Sequence, residues 1–360
     1  MAAFRSLRPA RLAGAAALCA ALVLSACTKS EDSGGGSTEG TGGAQVAETP
    51  EGEGPTCTLE QYGGKELDLA NAVVGFSQSE KEANPFRIAE TQSIKDEAEK
   101  VGVKQLLTTN ANSQLSKQIS DIQDMINKGA QALVVAPLNS DGLEPALAAA
   151  RAKDIPVLTI DRKVNSEPCK DYVAFLGSNF VEQGKRAAQE MAEGLDNKGK
   201  VAILLGSSGN NVTTDRTKGF VDEMAKIAPD IEIVAQQTGE FARDKGQQVM
   251  EQIIQAQPDL AGVYAENDEM ALGALVALKS AGKAPGTDIQ VVSIDGTRNA
   301  VQKIVDGEML AVVESNPRFG PLAFETLEKF LSGEAVAQDV VISDKLYGKD
   351  NASAEVSNAY

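Results

Sequence analysis

Short apolar runs alternate with amphipathic segments along most of the chain, from about residue 69 to residue 294. Residues 69–76 form an apolar run of strand length, and after it Ile94, Ala98 and Val101 recur at the spacing of one helix face. Further strands are predicted at 103–107, 132–136, 157–160, 172–176, 201–205, 231–235, 260–264 and 289–294, and further helices at 115–126, 143–152, 180–195, 214–227, 243–256 and 269–281.

The predicted strands consist almost entirely of Val, Ile, Leu and Ala, which is typical of parallel sheets covered by helices on both faces. About ten strands exceed one compact sheet of this kind, so the pattern predicts an α/β fold with two doubly wound parallel-sheet lobes. Ligands of such sheets bind beyond the carboxyl ends of the strands. Polar residues just after each strand are therefore the candidates for function.

The beginning of the chain has the pattern of an export signal. Three arginines precede an apolar run over 12–24, which is shorter than the ~20 residues of a membrane span. The run ends in Leu-Ser-Ala-Cys at 24–27, which resembles a bacterial lipobox. Residues 1–26 are therefore predicted to be a lipoprotein signal peptide and Cys27 to become the lipidated N-terminus. A plain secretory signal with an incidental cysteine is the alternative.

Residues 28–55 are rich in Ser, Gly, Thr and Glu and have almost no apolar side chains. Such a segment cannot bury enough surface to offset its ordering entropy, so it is typical of a flexible tether. We assign residues 27–67 to the lipidated cysteine and this tether. The arrangement predicts a body on the extracytoplasmic face of the cell membrane, attached only through its lipid.

Two cysteines remain for the body. Cys19 leaves with the signal peptide and Cys27 carries the lipid, which leaves Cys57 and Cys169. Thiols oxidise outside the cytoplasm, so a disulfide between these two is predicted. Two buried free thiols are the alternative.

Composition excludes several kinds of chemistry. The chain has no histidine, which rules out Ser-His-Asp and Cys-His catalytic pairs and imidazole metal ligands. Its 34 basic and 51 acidic residues give a net charge of −17, which repels nucleic acid and anionic lipid. We predict no nucleic-acid partner, no cofactor and no metal.

Polar and aromatic residues follow several predicted strands. They are Asn84, Phe86 and Arg87 after the first strand, Asp161 and Arg162 after the fourth, Arg216 at a helix start, and Phe241, Asn267 and Asp295 after later strands. Carboxylates accept hydrogen bonds from sugar hydroxyls, Arg and Asn donate to them, and aromatic rings pack on the apolar C–H face of a sugar. These residue types at strand ends favour a polyol site.

Three runs resemble the periplasmic sugar-binding proteins of the ribose-binding type, the type I substrate receptors of ABC importers. They are Ile-Asp-Arg at 160–162, Asn-Asp-Glu-Met-Ala-Leu-Gly-Ala-Leu at 267–275 and Ile-Asp-Gly-Thr at 294–297. Segments 74–78, 86–91, 215–220 and 239–246 are similar to the galactofuranose-binding branch of that family. The resemblance extends from about residue 69 to residue 347.

The resemblance implies sugar contacts from eight residues: Phe86, Arg87, Asp161, Arg162, Arg216, Phe241, Asn267 and Asp295. Asn84 and Ser315 match contact positions loosely, and the galactofuranose-binding branch has Trp where Phe86 stands. Three other roles are open for these side chains. Asp161 and Arg162 could form a surface ion pair, Asn267 could cap a helix, and Phe241 could belong to the core.

The family pattern also implies two lobes joined by three crossings near Ser178, Asn316 and Ile342. The lobes are expected to comprise residues 68–177 with 316–341, and residues 178–315 with 342–354.

The function implied is that of a monomeric, lipid-anchored receptor that captures a pentose or hexose and delivers it to an ABC permease. The ring form, and inositol as a ligand, are left open, as is signalling to a sensor or chemoreceptor. A transcription regulator is disfavoured because a lipobox and acidic tether stand where a basic helix-turn-helix would be needed. A carbohydrate-active enzyme using Asp161 and Asp295 is disfavoured because an arginine or hydroxyl partner is expected to keep each of them ionised.

Overall fold

The computed structural model describes residues 43–47 and 54–360. The predicted signal peptide and the lipidation candidate Cys27 lie outside these residues. Within them, no helix is both long enough and apolar enough to cross a membrane.

Strands and helices alternate along the described chain. The strands are β1 (Thr56–Cys57), β2 (Val73–Gln78), β3 (Gln105–Asn110), β4 (Ala132–Val135), β5 (Val157–Ile160), β6 (Ala174–Gly177), β7 (Lys198–Leu205), β8 (Asp230–Thr238), β9 (Gly262–Ala265), β10 (Gln290–Asp295), β11 (Ala311–Glu314), β12 (Val336–Ala337), β13 (Asp339–Val341) and β14 (Leu346–Tyr347). The helices are α1 (Leu59–Tyr62), α2 (Pro85–Val101), α3 (Leu115–Asn127), α4 (Glu144–Arg151), α5 (Phe180–Gly194), α6 (Asn211–Ile227), α7 (Arg243–Ala256), α8 (Asp268–Ser280), α9 (Arg298–Val305), α10 (Gly320–Leu331) and α11 (Ala352–Glu355).

Two six-stranded sheets form two lobes. The first has the strand order β13-β6-β5-β4-β2-β3, with every neighbouring pair parallel. The second has the order β14-β11-β10-β9-β7-β8, in which β14 runs antiparallel to β11 and the other pairs are parallel. Strands β4, β5, β6, β9 and β11 are buried throughout. The predicted α/β fold with two parallel-sheet lobes is confirmed.

The first strand begins later than the apolar run suggested. Leu69–Asn71 form a 3-10 turn, because the side chain of Asp68 accepts a hydrogen bond from the Ala70 N–H at 3.1 Å. β2 therefore starts at Val73 and extends to Gln78.

Asparagine side chains begin four of the helices that border the cleft. Their oxygens each accept from a backbone N–H three residues further on, which satisfies a donor that the first turn leaves free. These N-caps are Asn84 of α2, Asn179 of α5, Asn210 of α6 and Asn267 of α8. Capping thus fixes where each helix, and the side chains of its first turn, meet the cleft.

Two glycines let α5 and α6 approach closely. A Cβ at Gly184 would lie 2.2 Å from the carbonyl oxygen of Arg216, and one at Gly219 would lie 2.1 Å from that of Val181. A larger residue at either position would push the helices apart. The pair therefore sets the position of Arg216 relative to α5.

The chain passes between the two sheets three times. The crossings are residues 178–179 between β6 and α5, residues 315–319 between β11 and α10, and residues 342–345 between β13 and β14. After the second crossing, α10 packs against α2 of the first lobe. Upstream residues also meet the hinge, because Val46 forms an antiparallel bridge with Ile342.

Residues 56–62 belong to the folded body, which corrects the assignment of all of 27–67 to a flexible tether. β1 pairs with β12, and Thr58 begins α1 with a capping box. The ring of Tyr62 is buried, and its hydroxyl donates to the Ile155 carbonyl at 3.1 Å. Residues 56–62 are therefore held to the body by strand pairing and by the buried Tyr62 ring.

Cys57 and Cys169 form a disulfide, as predicted, with Cα atoms 5.2 Å apart. It joins β1 to the loop between β5 and β6 across 112 residues of sequence. A cross-link over so long a loop stabilises the fold mainly by restricting the unfolded chain.

Candidate functional site

A cavity lies between the carboxyl ends of the two sheets. All eight residues predicted to contact a sugar line it, as does Asn84. The lining residues are Glu80, Asn84, Phe86, Arg87, Asp161, Arg162, Val212, Arg216, Phe241, Asn267 and Asp295. Residues after strands that are far apart in sequence meet here because parallel strands end at the same edge of a sheet.

Two arginines and two carboxylates form the wall on the first lobe. Arg87 Nη1 lies 2.7 Å from Asp161 Oδ2, and Arg87 Nε donates to Glu80 Oε2 at 3.0 Å. Arg162 Nη2 donates to the other oxygen of Glu80 at 2.9 Å, and Arg162 Nε lies 3.7 Å from Asp161 Oδ2. Asp161 and Arg162 are 5% and 2% exposed, so they are part of a buried network rather than a surface ion pair.

Glu80 holds both guanidinium groups of this wall. Burial by itself would raise its pKa, but the charges of Arg162 and Arg87 lower the pKa to about 2. Glu80 is therefore ionised at neutral pH. Each of its oxygens fixes one arginine, which leaves other N–H groups of the arginines free to face the cavity.

Glu90 lies under Arg87, on the next turn of α2. Its Oε2 accepts from Arg87 Nη1 at 2.8 Å and from Gln78 Nε2 at 2.8 Å. Burial raises the pKa of Glu90 to about 7, against the lowering effect of Arg87 and with a further rise from Asp161. The side chain stays behind the cavity wall and orients Arg87.

Arg216 and Asp295 face each other on the wall of the second lobe. Arg216 Nη1 donates to the Glu266 carbonyl at 2.6 Å, whereas its Nη2 lies 3.7 Å from Asp295 Oδ1. Burial raises the pKa of Asp295 well above its ordinary value, because Arg216 at this distance opposes the effect only in part and Asp268 adds to it. This direction runs against the expectation that an arginine or hydroxyl partner lowers the pKa of Asp295 and keeps it ionised.

The Glu266 side chain lies behind this wall. Its carboxylate accepts from the Gly206 N–H at 2.7 Å and from the Thr217 hydroxyl. Burial raises its pKa to about 7, and the hydrogen bonds and Arg216 act in the opposite direction.

Three cavity residues have left-handed or otherwise strained backbone. Asp161 has φ 64°, Phe241 has φ 59° and Asp295 has φ 140°. Non-glycine residues rarely adopt these angles, and such strain concentrates at functional sites. In each case the angle turns a residue at the end of a strand toward the cavity.

Two phenylalanines, one from each lobe, supply apolar faces. Phe86 and Phe241 are both 9% exposed. The Arg162 guanidinium carbon lies 6.0 Å from the centre of the Phe241 ring, so the two lobes meet at this pair. A Cβ at Gly206 would lie 2.0 Å from Phe241 Cζ, and glycine at this position therefore leaves the space that the ring occupies.

Asn267 combines its two expected roles. Its Oδ1 accepts from the Met270 N–H at 3.0 Å and so caps α8, while its Nδ2 donates to the Phe241 carbonyl at 3.2 Å. The side chain also lines the cavity. Capping therefore holds in place a polar group that faces the ligand space.

The lobes are in contact at the mouth of the cleft. The Ser140 N–H donates to the Gly209 carbonyl at 2.9 Å, and the Lys163 N–H donates to Asn211 Oδ1 at 2.9 Å. Ser140 and Lys163 belong to the first lobe, and Gly209 and Asn211 to the second. The structure is therefore in a closed arrangement.

Ser315 is not among the cavity-lining residues. It is buried at the second crossing, where its N–H donates to the Asp295 carbonyl at 2.8 Å and its carbonyl accepts from the Tyr360 hydroxyl at 3.3 Å. Ser315 supports Asp295 from behind.

Sequence reasoning missed Glu80 and Val212 among the cavity-lining residues, and Tyr360, which contacts Phe86. Glu80 comes two residues after the end of β2, so the strand-end rule that selected the others could have found it. The ring of Tyr360 packs edge-on against Phe86, with centroids 6.2 Å apart. No local sequence pattern predicts that contact, because Tyr360 and α2 are far apart in the sequence.

This arrangement suits binding of a small polyhydroxylated molecule. Guanidinium and amide groups offer donors, carboxylates offer acceptors, and two rings offer apolar faces. Within residues 43–47 and 54–360, no group of three or more His, Cys, Asp or Glu side chains is placed to hold a metal ion.

Comparison with known proteins gives the same family throughout. A family model described as a periplasmic binding protein domain matches residues 74–335. The galactofuranose-binding protein of Escherichia coli (strain K12) is 35% identical over 292 residues, covering 80% of this chain and 91% of that protein. The ribose import binding protein of Bacillus subtilis (strain 168) is 37% identical over 265 residues, covering 73% of this chain and 83% of that protein.

Two solved structures are similar along most of their length. The binding protein of the arabinose ABC transporter from Shewanella sp. ANA-3, bound to α- and β-L-arabinofuranose, has a TM-score of 0.76 at 33% identity and covers 79% of this chain and 95% of its own. A Mycobacterium smegmatis protein in complex with β-D-fucofuranose has a TM-score of 0.76 at 36% identity and covers 80% of this chain and 94% of its own.

Proposed function

Because this chain belongs to the periplasmic binding protein family, we propose that it captures a pentose or hexose in furanose form between its two lobes and delivers it to an ABC importer. In this role it binds and releases the sugar without chemical change. Its partners are the sugar and the permease of the importer.

The closed cavity is the observation that carries the proposal. It lies between the carboxyl ends of the two sheets, where ligands of such sheets bind. Charged and aromatic side chains of both lobes line it, so one ligand would contact both walls. Such a ligand favours the closed state over the open one, and closure is a signal that a permease can recognise.

The furanose form is supported by the relatives. The Escherichia coli relative is named for galactofuranose, and the two solved structures hold arabinofuranose and fucofuranose. In this chain, Phe86 and Phe241 would pack on the C–H faces of the ring. Arg87, Arg162 and Asp295 would exchange hydrogen bonds with its hydroxyls.

The anchor at the cell membrane is supported by the sequence. Leu-Ser-Ala-Cys at 24–27 follows a short apolar run, so Cys27 would carry the lipid on the extracytoplasmic face. Replacing Cys27 with Ser in cells is expected to move the protein from the membrane fraction to the soluble or secreted fraction. Retention in the membrane fraction would argue against the anchor.

A thermal-shift screen tests the sugar. D-Galactose, D-fucose, L-arabinose, D-ribose and myo-inositol would be compared, since a ligand that binds only the folded state raises the melting temperature. At least one of the first three is expected to produce a saturable shift, confirmed by calorimetry, and to be recovered unchanged. No shift with any of the five would contradict the proposal, and conversion of the sugar would indicate an enzyme.

A further inference from the structure

Gln183 is a buried amide behind the cavity that no sugar role explains. It lies in the first turn of α5, directly after the first crossing, and is 1% exposed. Its Oε1 accepts from Arg216 Nε at 2.9 Å. Its Nε2 donates to the Glu314 carbonyl at 3.3 Å and to Asp344 Oδ2 at 2.8 Å.

The hydrogen bonds of this amide reach the second and third crossings. Glu314 is the last residue before the second crossing, and Asp344 lies within the third. Ser178, in the first crossing, donates from its hydroxyl to Asp344 Oδ1 at 3.0 Å. Arg186, one turn after Gln183 on α5, donates to the Asp344 carbonyl at 2.7 Å. Gln183 therefore joins a cavity arginine to two strands of the hinge, and Asp344 connects it to the third.

Chemistry dictates which way the amide points. A guanidinium group only donates, so Arg216 requires the carbonyl end of Gln183. The amino end must then face the carbonyl of Glu314 and the carboxylate of Asp344, both of which only accept in their ionised or carbonyl forms.

We propose that Gln183 is a positioning residue that couples the geometry of the hinge to the sugar site through Arg216. The proposal rests on the proposed sugar-binding function. In the closed arrangement Arg216 is held by the Glu266 carbonyl at Nη1 and by Gln183 at Nε, and Gln183 is held in turn by Glu314 and Asp344. Loss of these bonds lets Arg216 reorient, so the sugar gains less from closure and the closed state is less populated.

Two substitutions of Gln183 separate the effect from loss of packing. Gln183→Met keeps the length and volume of the side chain but removes every polar contact. It is expected to weaken binding of L-arabinose or D-galactose, whichever the wild type binds more tightly, by at least tenfold. Gln183→Glu keeps an acceptor for Arg216 but sets a carboxylate against that of Asp344, and it is expected to weaken binding similarly.

A rescue distinguishes coupling from a structural role. In the double variant Gln183→Glu with Asp344→Asn, the new amide at position 344 can donate to the new carboxylate at position 183. The logarithm of the fold loss in affinity is expected to shrink by at least a third relative to Gln183→Glu alone. Gln189→Met is the matched control, because Gln189 is an exposed residue of the same helix whose amide donates to Glu223 at 3.1 Å, away from the hinge. It should bind sugar within twofold of the wild type.

Calorimetry gives the affinities, and small-angle scattering gives the compaction on sugar addition. The proposal is overturned if Gln183→Met binds within twofold of the wild type, or if Asp344→Asn restores nothing to Gln183→Glu. If Gln183→Met does not fold, the rescue pair decides alone. If the wild type binds none of the sugars, the proposed function fails. The coupling is then tested on the proteins without sugar, by comparing the radii of gyration of the wild type and Gln183→Glu. Equal radii would overturn the coupling.

Discussion

Replacing Asp295 by Ala is expected to weaken sugar binding by about ten- to a hundredfold. The residue is 4% exposed in the closed structure and lines the cavity. Arg216 Nη2 approaches one of its oxygens only to 3.7 Å, which is beyond hydrogen-bond distance. The carboxylate therefore keeps acceptor capacity that sugar hydroxyls can use.

The magnitude follows from the loss of one charge-assisted hydrogen bond. Such a bond contributes about 1.5–3 kcal/mol, and about 1.4 kcal/mol corresponds to a factor of ten in affinity. Asp295→Asn keeps one acceptor oxygen without the charge, so its affinity should lie between those of the wild type and the alanine variant.

Calorimetry with the sugar that gives the largest thermal shift measures the effect. Asp259→Ala serves as the control, because Asp259 pairs at 2.8 Å with Lys200 at an exposed site. The control should bind as the wild type does. An Asp295→Ala affinity within twofold of the wild type, with normal compaction in small-angle scattering, would refute a role for this carboxylate in the site.

The backbone at the same residue provides a second, independent measurement. Asp295 has φ 140°, an angle that glycine adopts without strain and other residues do not. Without sugar, Asp295→Gly is expected to be more stable than Asp295→Ala by about 1–2 kcal/mol in denaturant unfolding. Equal stabilities would mean that no strain is stored there.

Three further predictions concern stability and the cavity. Burial raises the pKa of Glu266 from 4.5 to about 7, so between these pH values the folded chain holds a proton that the unfolded chain releases. The contribution of Glu266 to the free energy of unfolding should therefore fall as pH rises from 4.5 to 7 and stay low above it. Glu266→Gln should make the fall in denaturant-measured stability over this range less steep without abolishing it, because Glu90 titrates in the same range; an unchanged slope would contradict this. Replacing both cysteines of the disulfide by alanine should lower the free energy of unfolding by about 2–5 kcal/mol and leave the sugar affinity within twofold of the wild type. A tenfold loss of affinity would mean that the disulfide shapes the site. Gly206→Ala should displace the Phe241 ring and weaken sugar binding, because Phe241 Cζ would lie 2.0 Å from the new Cβ. Gly348→Ala is the control and should leave binding unchanged, because a Cβ there meets nothing within 4 Å. Equal calorimetric affinities for the two variants would count against this.

The local pattern of the sequence was sufficient to predict the lobes and most of the cavity lining. A parallel strand covered on both faces must be apolar throughout, so strands and their ends can be recognised without knowing what they contact. The residues after those ends, such as Asp161, Asn267 and Asp295, then share one edge by topology alone. The disulfide was predictable for a similar reason, because only Cys57 and Cys169 remained once Cys19 was assigned to the predicted signal peptide and Cys27 to the predicted lipid anchor.

Contacts between distant segments needed the tertiary structure. The short strand and helix at 56–62 belong to the body only because β12 and Ile155 are there to pair with them. Tyr360 reaches Phe86, and Gln183 reaches Asp344, across separations that no periodicity encodes.

The electrostatic state of the cavity was also beyond the sequence. Two arginines, at 2.9 and 3.0 Å, lower the pKa of Glu80 against the effect of burial. Burial raises the pKa of Asp295, where the carboxylates Asp268 and Asp161 add to the rise and only one arginine, 3.7 Å away, opposes it. Residue types alone predict an ion pair in both cases. The number and sign of the charges around each buried carboxylate decide between them, since burial penalises an ionised carboxylate unless enough opposite charge lies near it.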